Sequence, residues 1–187
     1  PVSRDREILG NSILSAELRG AEYIDQLEAD LGQEAVYAIN PNILAPNYSL
    51  PKLLWLREND PGLYQRTWKF LLWADLIPFL LGCDAFTSHS LANRTLLFDI
   101  RKEDWSDPLL AWAELDRARF APCIAGGAVV GTVAPAIAHD LGLPSVVTVV
   151  SGGHDQCCNA LGAGIFEAGK AACGIGTIEC IAPVYDR

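Results

Sequence analysis

VVSGGHDQCCNALGAG, residues 149–164, runs an apolar β-branched stretch into two glycines and then sets His154, Asp155 and Gln156 side by side where a helical pattern begins. β-Branched side chains are stiff about χ1 and suit a pleated surface, so SVVTVV (145–150) reads as a strand. Helical patterns flank it at 133–141, ended by Gly142, and at 155–161. An alternating segment with a continuous apolar strand predicts a parallel sheet covered on both faces. In open α/β sheets ligands gather beyond the carboxyl ends of the strands, which is where SGGHD falls. Gly152 and Gly153 let the backbone approach a ligand closely.

Asp155 has two readings at this position: a helix N-cap that satisfies orphan N–H groups, or a carboxylate presented to a ligand. His154, beside a turn, reads as a hydrogen-bonded structural residue, with catalysis as the alternative. His154, Cys157 and Cys158 have spacings that can face one way on a helix and ligate zinc, but no distant C-x-x-C completes a tetrahedral site. A buried pair of free thiols is the simpler expectation. GAGIFEAG (162–169) superficially resembles a dinucleotide loop, yet its glycines follow a helix, whereas that loop must follow a strand and open a helix. CGIGTIEC (173–180) reads as strand, glycine turn and strand; its N–H groups and the Thr177 hydroxyl suit phosphate oxygens, and a plain turn is the alternative.

Half of the 187 residues are hydrophobic, enough for one core and the edge of a second domain. A net charge of −9 and a pI near 4.7 argue against nucleic acid, because no basic patch is available to release its counterions. The longest apolar run, FLLWADLIPFLLGC (70–83), is interrupted by Asp75 and Pro78 and is too short to span a bilayer; it reads as a buried helix. No apolar signal region stands behind a basic one at the N-terminus, so the cytoplasm is expected. The six cysteines form no C-x-x-C pair and read as reduced, buried thiols. The chain has no methionine and is expected to be a piece of a longer protein.

Upstream, NSILSAELR (11–19) reads as a short strand and GAEYIDQLEADLG (20–32) as a helix with Tyr23, Leu27 and Leu31 on one face. The Pro- and Asn-rich INPNILAPNYSLP (39–51) is a loop, with Ser49 as the cap of the helix that follows. Asp60 and Pro61 restart a helical block that reaches Leu81 and stops at Gly82. SDPLLAWAEL (106–115) is a short helix capped by Ser106 or Asp107, and GGAVVGTV (126–133) is a strand.

In order, ELR (17–19), LPKLLWLREN (50–59), LLGC and TSHSLANRTLLFDI (within 80–100), GGHDQCCNALGAG (152–164) and CGIGT (173–177) resemble the FGGY family of carbohydrate kinases. The resemblance covers essentially the whole chain, and GGHDQ…ALGAG…GIGT is its most specific part. It implies an α/β, actin-like ATPase (ribonuclease H-like) fold, incomplete in this chain. Residues 1–164 would form the sugar-binding N-terminal domain without its first phosphate-binding hairpin, and 165–187 the start of the nucleotide-binding domain. It implies ATP-dependent phosphorylation of a sugar, polyol or sugar acid, with ATP and Mg2+ as cofactors. Asp155 would be the general base. Glu17, Arg19 and Gln156 would bind the sugar, and Gly176 and Thr177 would touch the nucleotide phosphates. Read as structure alone, these residues are a surface ion pair, a solvated helix residue and a turn.

Two departures from the family pattern bear on this. Ser15 and Glu17 stand where the family often has Trp and Asp, which moves the carboxylate by a methylene. The Asp-Gly-Thr hairpin that opens the family and most of its second domain are missing, so the isolated chain is expected not to turn over. A homodimer and a small-molecule partner are implied, with no membrane partner. The alternatives are a zinc-dependent hydrolase or lyase built on His154, Cys157 and Cys158, and a non-catalytic sugar-binding module of the same fold.

Overall fold

The computed structural model describes residues 1–176 and 179–186. It divides into two compact units, Pro1–Ser151 and Gly152–Arg187.

The first unit holds helices α1 (Glu22–Leu31), α2 (Gln33–Ile39), α3 (Ser49–Asn59), α4 (Pro61–Arg66), α5 (Trp73–Leu80), α6 (His89–Asn93), α7 (Asp107–Trp112) and α8 (Pro135–Asp140). Its strands are β1 (Thr87–Ser88), β2 (Phe98–Asp99), β3 (Asp104–Trp105), β4 (Cys123–Ile124), β5 (Val129–Thr132) and β6 (Thr148–Val150). β1 pairs with β4 in parallel, while β2–β3 and β5–β6 are antiparallel. The second unit holds α9 (Asp155–Gly162) and the antiparallel hairpin of β7 (Ala171–Ile175) and β8 (Glu179–Pro183).

Helix α3 is the centre of the first unit. Leu50, Leu53, Leu54 and Leu56 are all buried, so apolar residues lie around most of its circumference, as expected of a helix enclosed by its neighbours. Leu27 and Val36 from α1 and α2, Leu96 to Phe98, Trp105, Leu109 and Phe120 complete this core. Each fully buried leucine contributes roughly 1.5–3 kcal/mol. The Trp105 indole N–H donates to the Ala121 carbonyl at 2.7 Å, which satisfies its one polar atom inside the core. A smaller cluster of Val2, Leu76, Phe79, Ala85 and Ala121 seats α5.

Several sequence expectations are corrected. Residues 11–19 form no strand: Glu17 N–H bonds to the Leu14 carbonyl at 3.2 Å and Ala21 N–H to Leu18 at 3.1 Å, so the segment closes turns on itself instead of pairing. The 61–81 block is two helices, because Trp68 and Lys69 pair with Val2 through backbone bonds and pull residues 67–72 out of helical geometry. Ser49 is the first helical residue of α3, and the extended Tyr48 occupies the cap position without a side-chain bond. Asp60 and Ser106 do cap, accepting from Leu63 N–H at 3.0 Å and Leu109 N–H at 3.4 Å.

The strand 145–150 is also corrected. β6 pairs antiparallel with β5, its neighbour in sequence, through a register irregularity at Gly131. It is not covered on both faces: Val146 and Val150 are exposed, as is Val129 on β5. Among the cysteines, all six are free, but Cys157, Cys158 and Cys173 are exposed, so the expected buried pair on α9 is absent.

Candidate functional site

β6 is the last strand of the first unit, residues 151–154 follow it without regular structure, and α9 of the second unit begins at Asp155. His154, with φ −57° and ψ 136°, holds the N-cap position, and Asp155 is the first residue of the helix. The cap position thus belongs to His154 and not to Asp155, which corrects one of the two readings of the sequence. Asp155 Oδ1 instead accepts from the Gln156 N–H at 2.8 Å and lies 3.3 Å from His154 Nδ1. The carboxylate is 81 % exposed. A Cβ built on Gly152 meets open space and its φ is not positive, so neither conformation nor packing demands glycine there.

Gln156 lies on the other side of the same helical turn, against the hairpin. A Cβ on Gly174 would fall 2.7 Å from Gln156 Oε1, so the glutamine side chain reaches over the glycine of β7. Gly174 pairs with Cys180 and Ile175 with Glu179, which puts Gly176 at the first position of the connecting turn, exposed. Thr177 lies outside the described residues. Among the described residues no group of three or more His, Cys, Asp or Glu is placed to hold a metal ion, so the zinc reading of His154, Cys157 and Cys158 finds no ligand cluster.

Glu17 and Arg19 belong to the first unit. They form an ion pair through Arg19 Nε and Glu17 Oε1, both side chains about one-third exposed. The Arg19 guanidinium also lies over the Trp55 ring, 4.6 Å from its centroid, on α3. Gly20, at φ 79°, makes the approach possible: a Cβ there would sit 2.2 Å from the Pro51 carbonyl oxygen. The sequence marked Glu17 and Arg19 but did not mark Lys52 beneath them. Its Nζ donates to the carbonyls of Ser15 (3.2 Å), Pro46 (3.2 Å) and Tyr48 (3.3 Å). The available signal was a lysine set among Leu50, Pro51, Leu53 and Leu54.

The family model described as FGGY family of carbohydrate kinases, N-terminal domain, matches residues 2–162. The xylulose kinase of Bacillus subtilis (strain 168) is 32 % identical over 176 residues, covering 94 % of this chain and 35 % of that protein. The L-fuculokinase of Escherichia coli (strain K12) is 30 % identical over 163 residues, covering 87 % and 34 %. The chain thus spans about a third of the length of the curated relatives it matches. Among solved structures, a "xyloylose kinase" from Brucella ovis superposes with TM-score 0.85 at 27 % identity, covering 94 % of this chain and 36 % of that one. A Plasmodium falciparum glycerol kinase with ADP superposes with TM-score 0.84 at 21 % identity, covering 94 % and 35 %. Their shared architecture is the actin-like, ribonuclease H-like α/β fold, of which this chain forms part. With the family model spanning most of its length and relatives of 30 % identity or more along nearly all of it, the chain belongs to the FGGY family of carbohydrate kinases.

Proposed function

We propose that the protein carrying this chain transfers the γ-phosphate of Mg-ATP to a hydroxyl of a sugar, polyol or sugar acid, with Asp155 as general base. The ketopentose xylulose is the first substrate to test, because relatives named xylulose kinase match along most of the chain. The observation that carries the reading is the Asp155 carboxylate, exposed at the first turn of α9 and oriented by the Gln156 N–H, three residues after Gly152, whose packing does not require glycine.

Phosphoryl transfer asks mainly for alignment and for stabilisation of charge on the transferred group. As the sugar oxygen bonds to phosphorus and the bond to ADP breaks, the hydroxyl proton passes to the Asp155 carboxylate. The N-terminal dipole of α9 favours anionic charge at the same place. Glu17 can accept from sugar hydroxyls and Arg19 can donate to them, which orients the ring. Gln156 adds a donor and an acceptor, and Gly176 and Thr177 would touch the nucleotide phosphates. Family membership supports a homodimer and a cytoplasmic setting. No helix among the described residues is long and apolar enough to cross a membrane.

The test is ADP release by the complete gene product with Mg-ATP across ketopentoses, ketohexoses, polyols and sugar acids, with Asp155→Asn run alongside. One sugar should stimulate release, and the variant should lose that stimulation by about 10² or more, as removal of a general base entails. Full activity in the variant would remove Asp155 from the mechanism. Sugar binding with no ADP release would identify a non-catalytic module.

A further inference from the structure

Lys52 is 6 % exposed and directs its ammonium at three backbone carbonyls. An ammonium has three donors, and here each has one acceptor. Among the described residues no carboxylate lies within ion-pair distance of Nζ. Burial pulls its pKa below the ordinary lysine value, and the Glu17 charge acts in the opposite direction. A cation held only by carbonyls is a costly way to gain stability, since an apolar side chain fills the same space without desolvating a charge. What the arrangement does supply is position.

The three carbonyls come from two segments. Ser15 lies two residues before Glu17, and Pro46 and Tyr48 belong to the loop that leads into α3. The same helix receives Arg19 on Trp55, three residues beyond Lys52, and Gly20 against the Pro51 carbonyl. Residues 15–20, which lie outside any helix or strand, thus meet α3 and the loop before it at three points.

We propose that Lys52 is a positioning residue for sugar recognition: by holding the Ser15 carbonyl it sets where Glu17, and through the ion pair Arg19, meet the substrate. This rests on the reading of Glu17 and Arg19 as sugar-binding residues. It gives the lysine of LPKLLW a role in substrate affinity and none in the transfer step.

The test is steady-state kinetics of the complete gene product with xylulose and Mg-ATP, comparing wild type, Lys52→Met, Glu17→Gln and the double variant. Lys52→Met should raise KM for xylulose by roughly ten- to a hundred-fold, the size expected for loss of a hydrogen bond to a charged group. Its kcat and its KM for ATP should stay within about two-fold, because binding shared by ground and transition states shows in KM alone. Glu17→Gln should raise the same KM, and the double variant should be no worse than the poorer single one, since both act through one contact. If Lys52→Met does not fold, Lys52→Arg takes its place, because a planar fork cannot seat on the same three carbonyls, and the same split between constants is expected. An unchanged KM in a folded Lys52 variant, with Glu17→Gln impaired, overturns the role of Lys52 and leaves the sugar site standing. An unchanged KM in Glu17→Gln overturns the sugar site and this proposal with it. A fall in kcat with unchanged KM also overturns it.

Discussion

Asp75→Asn should make the stability of this chain respond differently to pH. Asp75 is 1 % exposed and sits in the first turn of α5. Oδ2 accepts from the Leu72 N–H at 3.1 Å and from the Thr87 hydroxyl at 3.0 Å. Oδ1 is buried without a hydrogen-bond partner among the described residues, and Asp75 lines a cavity of about 160 Å³ together with Ser49, Lys52, Thr87 and Thr95. Burial, only partly offset by the two hydrogen bonds, pushes the carboxyl up to about 7 from 3.8. The folded pKa therefore lies above the unfolded one, so between those values the folded chain holds the proton that the unfolded chain has released. Stability falls as pH rises through this window, and the loss is complete above about 7. At about 1.36 kcal/mol per pH unit the full cost of ionising Asp75 is roughly 4 kcal/mol, of which about 2–3 kcal/mol accrues between about pH 5 and about pH 8.

In Asp75→Asn the amide oxygen keeps both accepted bonds and no charge forms. Its NH2 faces the place where Oδ1 has no partner, which costs about 1–3 kcal/mol at every pH. Urea unfolding of wild type and variant at about pH 5 and about pH 8 separates the two effects. The stability of the variant relative to wild type should rise by about 2–3 kcal/mol from the lower pH to the higher. A relative stability constant to within about 0.5 kcal/mol would refute the assignment of a proton to buried Asp75 near neutrality.

Gly20→Ala combines a positive φ with a Cβ 2.2 Å from a helix carbonyl. It should cost about 2–4 kcal/mol, or about 5–15 °C in Tm by calorimetry. Gly32→Ala has the same φ of +79° but open space around the new Cβ, and should lose less than half as much. Asp60→Ala removes the cap on Leu63 N–H and should cost about 1 kcal/mol in urea unfolding. Ser49→Ala, whose side chain caps no helix, should stay within about 0.5 kcal/mol of wild type.

Where composition and local chemistry decide a feature, the sequence was legible. α1 ends at Leu31 before Gly32, α7 starts after a Ser106 cap, α8 ends before Gly142, and the 171–183 hairpin turns at a glycine. Each of these depends on a bond or a dihedral within a few residues. The order of the motifs also identified the family, because a string of short motifs requires no knowledge of their contacts. Residues 11–19 were misread as a strand, since apolar alternation does not say whether a partner strand is within reach. The break between α4 and α5 was missed because it comes from pairing with Val2, distant in sequence.

Sequence alone determined the Asp155–Gln156 pair at a helix start, the Glu17–Arg19 spacing and the acidic, apolar-rich character of the chain, all of which are properties of neighbours along the backbone. Only the tertiary structure decided that β6 runs antiparallel, that Asp75 and Lys52 are buried, and that α3 holds residues 15–20. These depend on which segments desolvate one another across long loops, and burial of a charge is a property of the fold around it rather than of the residues beside it in sequence.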